Sequence, residues 1–266
     1  MLEALEFDFI QHAIIAGILV SIISGIIGSL IVVNRMVFLA GGIAHSSYGG
    51  IGLAIYFGFD IFFGASLFAV ACAILVSSFT LHNRDRIDTI IGLVWAVGMA
   101  IGVIFVDLSS GYNVDLMSYL FGSILAVTTQ DLYFMATLLV IIISVLMFWY
   151  RDILSVSYDI EYSSLLGINV KFFYTLILIL SALSVVIAIK IVGLILVIAM
   201  VTIPVYIAEK LSNSLLSMMI ISGVLASIFT LLGLALSYSY NLSSGASIIL
   251  VSATILGIFM LFFRDK

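Results

Sequence analysis

The chain has 266 residues, of which 64% are hydrophobic and only 9% are charged, and its formal net charge is −5. A soluble domain has about 45–50% apolar and about 25% charged residues, so this composition excludes a soluble globular protein. No basic cluster favours nucleic acid as a partner. Because no segment is polar enough to form a soluble domain, we expect a single transmembrane domain over residues 1–266, embedded in the lipid bilayer.

Long apolar runs predict an all-α polytopic bundle. A helix needs about 20 apolar residues to cross the hydrocarbon core. The sequence predicts nine spans, near residues 11–33, 37–58, 61–81, 88–107, 132–149, 172–189, 191–208, 214–238 and 245–263. The amino terminus has acidic but no basic residues, so we expect the first run to be a retained helix rather than a cleaved signal peptide. Residues 116–127 are apolar but too short to cross, which favours a re-entrant or interfacial helix.

The distribution of Lys and Arg predicts the orientation. With nine spans and an outside amino terminus, the carboxyl terminus is cytoplasmic and eight of the nine basic residues lie inside. These eight are Arg35, Arg84, Arg86, Arg151, Lys171, Lys210, Arg264 and Lys266. Only Lys190 lies outside, in a short turn, where we expect it to snorkel to the interface, or alternatively to narrow an outer gate.

His45 is the most informative single residue, because it lies in the middle of the glycine-rich second span. A titratable group at bilayer depth is costly and marks a candidate functional site. A neutral imidazole suits a transition-metal ion moving along a central pathway. The alternative is a hydrogen bond between two closely packed helices. Ser46 beside it and Pro204, expected to kink the seventh span, are further candidates for lining the pathway.

The longest polar segment on the cytoplasmic side is residues 151–171. It has helix-forming character from Asp159 to Leu166, and Gly167 is a candidate carboxyl-terminal cap. Such an element would lie against the membrane or a partner, or else form an ordinary surface loop. The chain has no GxxxxGK[ST] motif, so if transport is driven by ATP, the ATPase is another chain.

Other sequence patterns argue against two further functions. Neither GxSxG nor HExxH is present, and no nucleophile–base spacing suggests hydrolysis, so we expect no enzymatic activity from this chain by itself. Paired intramembrane carboxylates, expected of many proton-coupled transporters, are also missing. Two alternatives to an ATP-driven permease remain: a self-contained secondary transporter or channel, and a non-transporting membrane scaffold or assembly factor.

Five segments, in order along the chain, resemble the permease subunits of bacterial ABC importers for zinc, manganese and iron, the metal ABC-3 family. They are NRMVFLAGGIAHSSYGGIGLA (34–54), DLMSYLFGSILAV (115–127), SYDIEYSSLLGINV (157–170), IVGLILVIAMVTIPVYIAEKL (191–211) and SSGASIILVSA (243–253). The resemblance implies a fold similar to the vitamin-B12-type importer permease. It also implies a location in the bacterial inner membrane and import of a divalent metal ion as cargo.

The resemblance also implies partners. Two permease copies form a homodimer around the pathway, two ABC ATPase subunits bind ATP, and an outer metal-binding protein delivers the ion, while the permease itself holds no cofactor. Asp159, Glu161 and Gly167 then belong to the coupling helix that docks on the ATPase. One departure is that the family pattern Gly-Asp-x-x-x-His has Gly41 in the Asp position here, while His45 is kept. A single imidazole per subunit makes a weak site, to which two copies would contribute two.

Overall fold

The computed structural model describes residues 7–81, 86–109 and 124–262, and all regular secondary structure in these ranges is helical, as predicted. The α-helices are α1 (Asp8–Val33), α2 (Val37–Phe57), α3 (Ile61–Thr80), α4 (Ile87–Asp107), α5 (Thr129–Tyr158), α6 (Ile160–Leu165), α7 (Val170–Val192), α8 (Leu194–Leu211), α9 (Leu215–Tyr240) and α10 (Ser244–Phe262). A short 3-10 helix at Ile124–Ala126 precedes α5.

Each of the nine expected spans corresponds to one long helix, and eight of these helices are long and apolar enough to cross a membrane. The exception is α2, whose 21 residues include five glycines, two serines and His45. Most of α2 is buried within the fold, so little of it needs an apolar surface for lipid. The expected helix at 116–127 falls largely on residues 110–123, outside the described ranges, as do Arg84, Arg264 and Lys266.

Local capping explains where several helices begin and end. The Asp60 carboxylate accepts a hydrogen bond from the Phe63 N–H at 2.7 Å and caps the start of α3. Ser214 and Ser217 form a reciprocal capping box at the start of α9. These side chains satisfy amide groups that the first helical turn leaves without partners. At the other end of α9, Asn241 adopts the left-handed conformation that closes many helices.

Contacts group the chain into two compact units, of which the first comprises Met1–Val32, Met117–Ser144 and Ala188–Lys266. In this unit the backbones of α1 and α9 approach closely, since a Cβ on Gly25 would collide with the backbone of Gly223. Hydroxyls line the same contact, as Ser21 Oγ lies 3.0 Å from Thr230 Oγ1. Small residues and interhelical hydrogen bonds are the usual means of helix association in a membrane.

Gly193 separates α7 from α8 in the first unit. Its φ of 81° and ψ of 162° lie in a region open essentially only to glycine, so this residue permits the tight connection. From there α8 runs through Pro204 to Leu211 as one helix. Pro204 is buried and cannot donate a backbone hydrogen bond. A kink at Pro204 stays a prediction.

The second unit comprises Val33–Leu116 and Val145–Ile187, and α2 lies at its centre, packed against both α3 and α4. Glycines allow the close approach of α4, because a Cβ on Gly98 would lie only 2.7 Å from Ser46 Cα. Hydroxyl pairs join α3 to α7: Ser77 Oγ lies 2.6 Å from Thr175 Oγ1, and Thr80 Oγ1 lies 2.9 Å from the Tyr174 hydroxyl.

Candidate functional site

His45 lies on α2, half-buried, and its imidazole stacks on the indole of Trp95 from α4. The ring centroids are 4.2 Å apart and the planes lie within 8° of parallel. The ring of Phe38, two turns earlier on α2, lies 5.7 Å from the same indole. Among the described residues His45 has no hydrogen-bond partner, so aromatic stacking and not an interhelical hydrogen bond orients the ring.

This arrangement leaves the chemistry of His45 available. A parallel stack covers one face of the imidazole, whereas a metal ion binds a ring nitrogen in the plane of the ring. The approach of α4 that creates the stack depends on glycine. A Cβ on Gly49 would lie 2.8 Å from the carbonyl oxygen of Gly98. The small residues that mark α2 in the sequence therefore bring an aromatic side chain against His45.

Tyr48 adds a second polar group that sequence reasoning did not single out. It lies three residues after His45, on the same side of α2, and is 8% exposed. Its buried hydroxyl has no hydrogen-bond partner among the described residues. A buried hydroxyl without a partner is uncommon and calls for an explanation. The only hint in the sequence was the spacing of three from His45.

Ser46 is placed differently from His45, although the two are adjacent in the chain. It is fully buried, and its hydroxyl donates to the backbone carbonyl of Ile43 at 3.1 Å. Gly98 of α4 lies directly against it. Within this chain, Ser46 thus contributes to the contact between α2 and α4, and a role in the pathway stays a prediction.

Pro204 belongs to the first unit, on α8, and its role in the pathway also stays a prediction. In the part of the chain that the structure describes, no group of three or more His, Cys, Asp or Glu side chains is arranged to hold a metal ion. His45 therefore belongs to no such group among the described residues.

The segment expected to carry coupling, residues 151–171, contains the end of α5, the whole of α6 and the start of α7. α5 extends beyond Trp149, where φ of −123° and ψ of 20° interrupt the helical conformation, and reaches Tyr158. Asp159 then caps α6, its carboxylate accepting a hydrogen bond from the Tyr162 N–H at 2.9 Å. Ser155 Oγ of α5 lies 2.6 Å from Ser163 Oγ of α6, so the short helix is fastened to the long one.

Gly167 closes α6 as its sequence position predicts. Its φ is 77°, and its N–H donates to the Ser164 carbonyl while the Ile168 N–H donates to the Ser163 carbonyl, both at 3.1 Å. This pair of bonds is the Schellman motif, in which glycine is preferred. The outer surface of this well-defined element is exposed and partly apolar, with 56% of Tyr162, 86% of Leu165 and 57% of Leu166 accessible. Glu161 is exposed beside them.

The structure corrects the expectation for Lys190. It lies in the last turn of α7 and not in a turn between spans, and it forms an ion pair with Asp131 of α5. Asp131 also accepts hydrogen bonds from the N–H and the hydroxyl of Thr128, at 3.1 and 2.8 Å, through its second carboxylate oxygen. Lys190 thus joins two helices of the first unit in place of snorkelling alone.

Comparison with known proteins gives matches over almost the whole chain. The model of the ABC 3 transport family matches residues 6–263. An uncharacterized membrane protein of Synechocystis sp. is 46% identical, over 95% of this chain and 90% of its own length. The manganese transport system membrane protein MntC of Listeria monocytogenes is 33% identical, over 97% of this chain and 92% of its own. Among solved structures, PsaBC from Streptococcus pneumoniae in complex with Fab matches with a TM-score of 0.83 and 31% identity, over 96% of this chain and 91% of that one.

Proposed function

This chain belongs to the ABC 3 transport family, and on that premise we propose that it is the permease subunit of an ATP-driven importer of a divalent transition-metal ion. Manganese is the favoured cargo, because the Listeria relative is named for manganese transport. Zinc and iron are the competing ions, since imidazole and hydroxyl ligands serve all three.

The observation that carries the proposal is the short helix α6, which is capped at both ends and exposes Tyr162, Leu165 and Leu166. An apolar surface on a polar segment outside the apolar spans needs a protein partner. Because the chain has no nucleotide-binding motif, a separate ABC ATPase is that partner. The fastening of α6 to α5 through Ser155 and Ser163 would pass the motion of the ATPase to the membrane helices.

The proposed contact with the ion is His45. Its imidazole nitrogens are free of hydrogen bonds to described residues, and the Trp95 stack holds the ring in place. Gly41 occupies the position where the family usually has Asp, so one chain offers few ligands. A homodimer that brings two copies of His45 to a shared pathway would supply a second imidazole. An outer metal-binding protein would deliver the ion.

The proposed location is the bacterial inner membrane, with the amino terminus outside and the carboxyl terminus in the cytoplasm. The distribution of basic residues supports this orientation, and with it a cytoplasmic position for α6, where an ATPase could reach it. Cysteine labelling tests it directly, because Cys72 is the single cysteine and is buried. A cysteine introduced at Glu161 in a Cys72→Ala chain should react with an impermeant reagent only after the membrane is opened.

The test of the function begins with purification of the chain from its native membrane in mild detergent. We expect an ABC ATPase to be recovered with it, and less of it with Glu161→Ala, which alters the exposed surface, or with Asp159→Ala, which removes the cap of α6. The purified complex is then reconstituted in proteoliposomes with the ATPase facing the lumen. These vesicles should take up radioactive manganese only when the lumen contains ATP. Flux through this chain alone, without ATP, would establish the secondary transporter or channel instead.

A further inference from the structure

A groove with a volume of about 330 Å³ follows the first half of α7 in the second unit. Its lining residues are Asn169, Lys171, Phe172, Thr175, Leu176 and Ile179. The apolar members recur every three or four residues and so share one side of the helix. At 1.5 Å per residue, positions 169–179 extend over roughly 15 Å, which is half of the roughly 30 Å hydrocarbon core of a bilayer.

The two ends of the groove differ in chemistry. Lys171 and Asn169 lie at one end, and both are exposed. The side-chain oxygen of Asn169, Oδ1, accepts a hydrogen bond from the Phe172 N–H at 3.1 Å, which leaves the side-chain NH₂ group to donate elsewhere. Further along, the Thr175 hydroxyl is already paired with Ser77 of α3. One end of the groove is therefore cationic and donates hydrogen bonds, whereas the rest of the groove is mainly apolar.

Aromatic and basic residues near the polar end favour a position at the membrane surface. The Trp149 ring lies 6.2 Å from the Phe172 ring, next to the groove, and Trp149 is 40% exposed. Arg151 follows two residues later and is exposed. Tryptophan concentrates at the membrane–water interface, and the basic residues indicate the cytoplasmic side. The cytoplasmic leaflet carries anionic lipids, and these attract basic residues at the ends of transmembrane helices.

We propose that this groove binds an anionic phospholipid of the cytoplasmic leaflet. The phosphate of the headgroup lies against Lys171 and Asn169, and one acyl chain follows Phe172, Leu176 and Ile179. An anionic headgroup is preferred over a zwitterionic one, because a zwitterionic lipid brings its own cation next to Lys171. The site depends on the orientation of the chain in the membrane and not on the identity of the transported ion.

The test uses the fluorescence of Trp149. The chain has two tryptophans, so the full-length Trp95→Phe variant reports from Trp149 alone. It is placed in phosphatidylcholine vesicles that contain an increasing fraction of one brominated lipid, either phosphatidylglycerol or phosphatidylcholine. Both lipids carry bromine on the acyl chains, and bromine quenches the fluorescence of a neighbouring indole. We expect half-maximal quenching at an about five-fold lower fraction of brominated phosphatidylglycerol than of brominated phosphatidylcholine.

Two charge variants separate the groove from general attraction to the surface. Lys171→Gln should remove the preference for phosphatidylglycerol while the chain keeps its helical circular-dichroism spectrum. Lys210→Gln is the matched control, because Lys210 is exposed near the end of α8, on the same predicted side, and does not line the groove. Equal quenching by the two lipids, or the same loss in both variants, would overturn the proposal.

Discussion

Lys190 Nζ lies 2.5 Å from Oδ1 of Asp131, and this ion pair joins the last turn of α7 to the first turn of α5. Asp131 is 7% exposed, and Thr128 supplies the hydrogen bonds to its other oxygen. The Asp131 N–H in turn donates to the Thr128 hydroxyl at 3.3 Å, so Thr128 and Asp131 form a reciprocal capping box at the start of α5. The pair thus ties two helix ends within the first unit.

We expect Lys190→Met alone to destabilise the chain more than the double variant that removes both charges. It leaves the Asp131 carboxylate buried without its cation, which costs more than the pair itself contributes. The double variant with Asp131→Asn should recover part of the loss, giving a coupling energy of about 0.5–3 kcal/mol. Thermal unfolding of the parent, both single variants and the double variant in one detergent measures it. Strictly additive effects would show that the pair contributes nothing.

The packing of α2 against α4 predicts opposite effects for two glycines of the same helix. A Cβ at Gly98 meets Ser46 Cα at 2.7 Å, whereas a Cβ at Gly92 meets nothing within 4 Å. Gly98→Ala should cost about 1–3 kcal/mol by forcing the helices apart. Gly92→Ala should be neutral or stabilise by about 0.5–1 kcal/mol, because alanine favours a helix over glycine. Equal unfolding midpoints for the two variants would contradict this account of the interface.

The stack of Trp95 on His45 provides an optical test of metal binding. In a Trp149→Phe chain the remaining indole lies 4.2 Å from the imidazole, so an ion bound at His45 should change its emission. Mn²⁺, Zn²⁺ and Fe²⁺ are titrated separately. His45→Ala should weaken the response at least about ten-fold, whereas His12→Ala on α1 should leave it unchanged. A response that persists in full without His45 would place the ion elsewhere.

The same substitution bears on transport. We expect His45→Ala to lower uptake at limiting metal more than it lowers assembly, since the side chain makes no hydrogen bond to described residues that folding would lose. Uptake is measured per amount of intact complex in proteoliposomes. Equal uptake by the variant and the parent would exclude His45 as a contact of the ion.

Gly167 should matter for coupling through the shape of α6. With its φ of 77°, an alanine here costs roughly 1–2 kcal/mol of local backbone strain and loosens the end of the helix. Gly167→Ala should therefore reduce the ATPase recovered with the purified chain. Gly257→Ala on α10 is the control, since a Cβ there meets nothing within 4 Å. Undiminished recovery with Gly167→Ala would show that a rigid α6 is not required for binding the ATPase.

The sequence by itself determined the membrane class, the approximate bounds of the long helices and the cap at Gly167. These follow from one-dimensional properties: the length of an apolar run needed to cross lipid, and the glycine that a left-handed residue favours after a helix. It also singled out His45, because a titratable residue inside an apolar run is visible without knowing its neighbours.

Only the tertiary structure decided what those residues touch. Trp95 lies on a different helix from His45, and Lys190 is 59 positions from Asp131, so no local pattern links either pair. That the Tyr48 hydroxyl has no hydrogen-bond partner among the described residues is likewise a property of its surroundings and not of its position in α2. Ser46 and His45 are adjacent in sequence yet differ in exposure, because Gly98 of α4 packs directly against Ser46. Helix register, set by glycines that let α2 and α4 meet, made the difference.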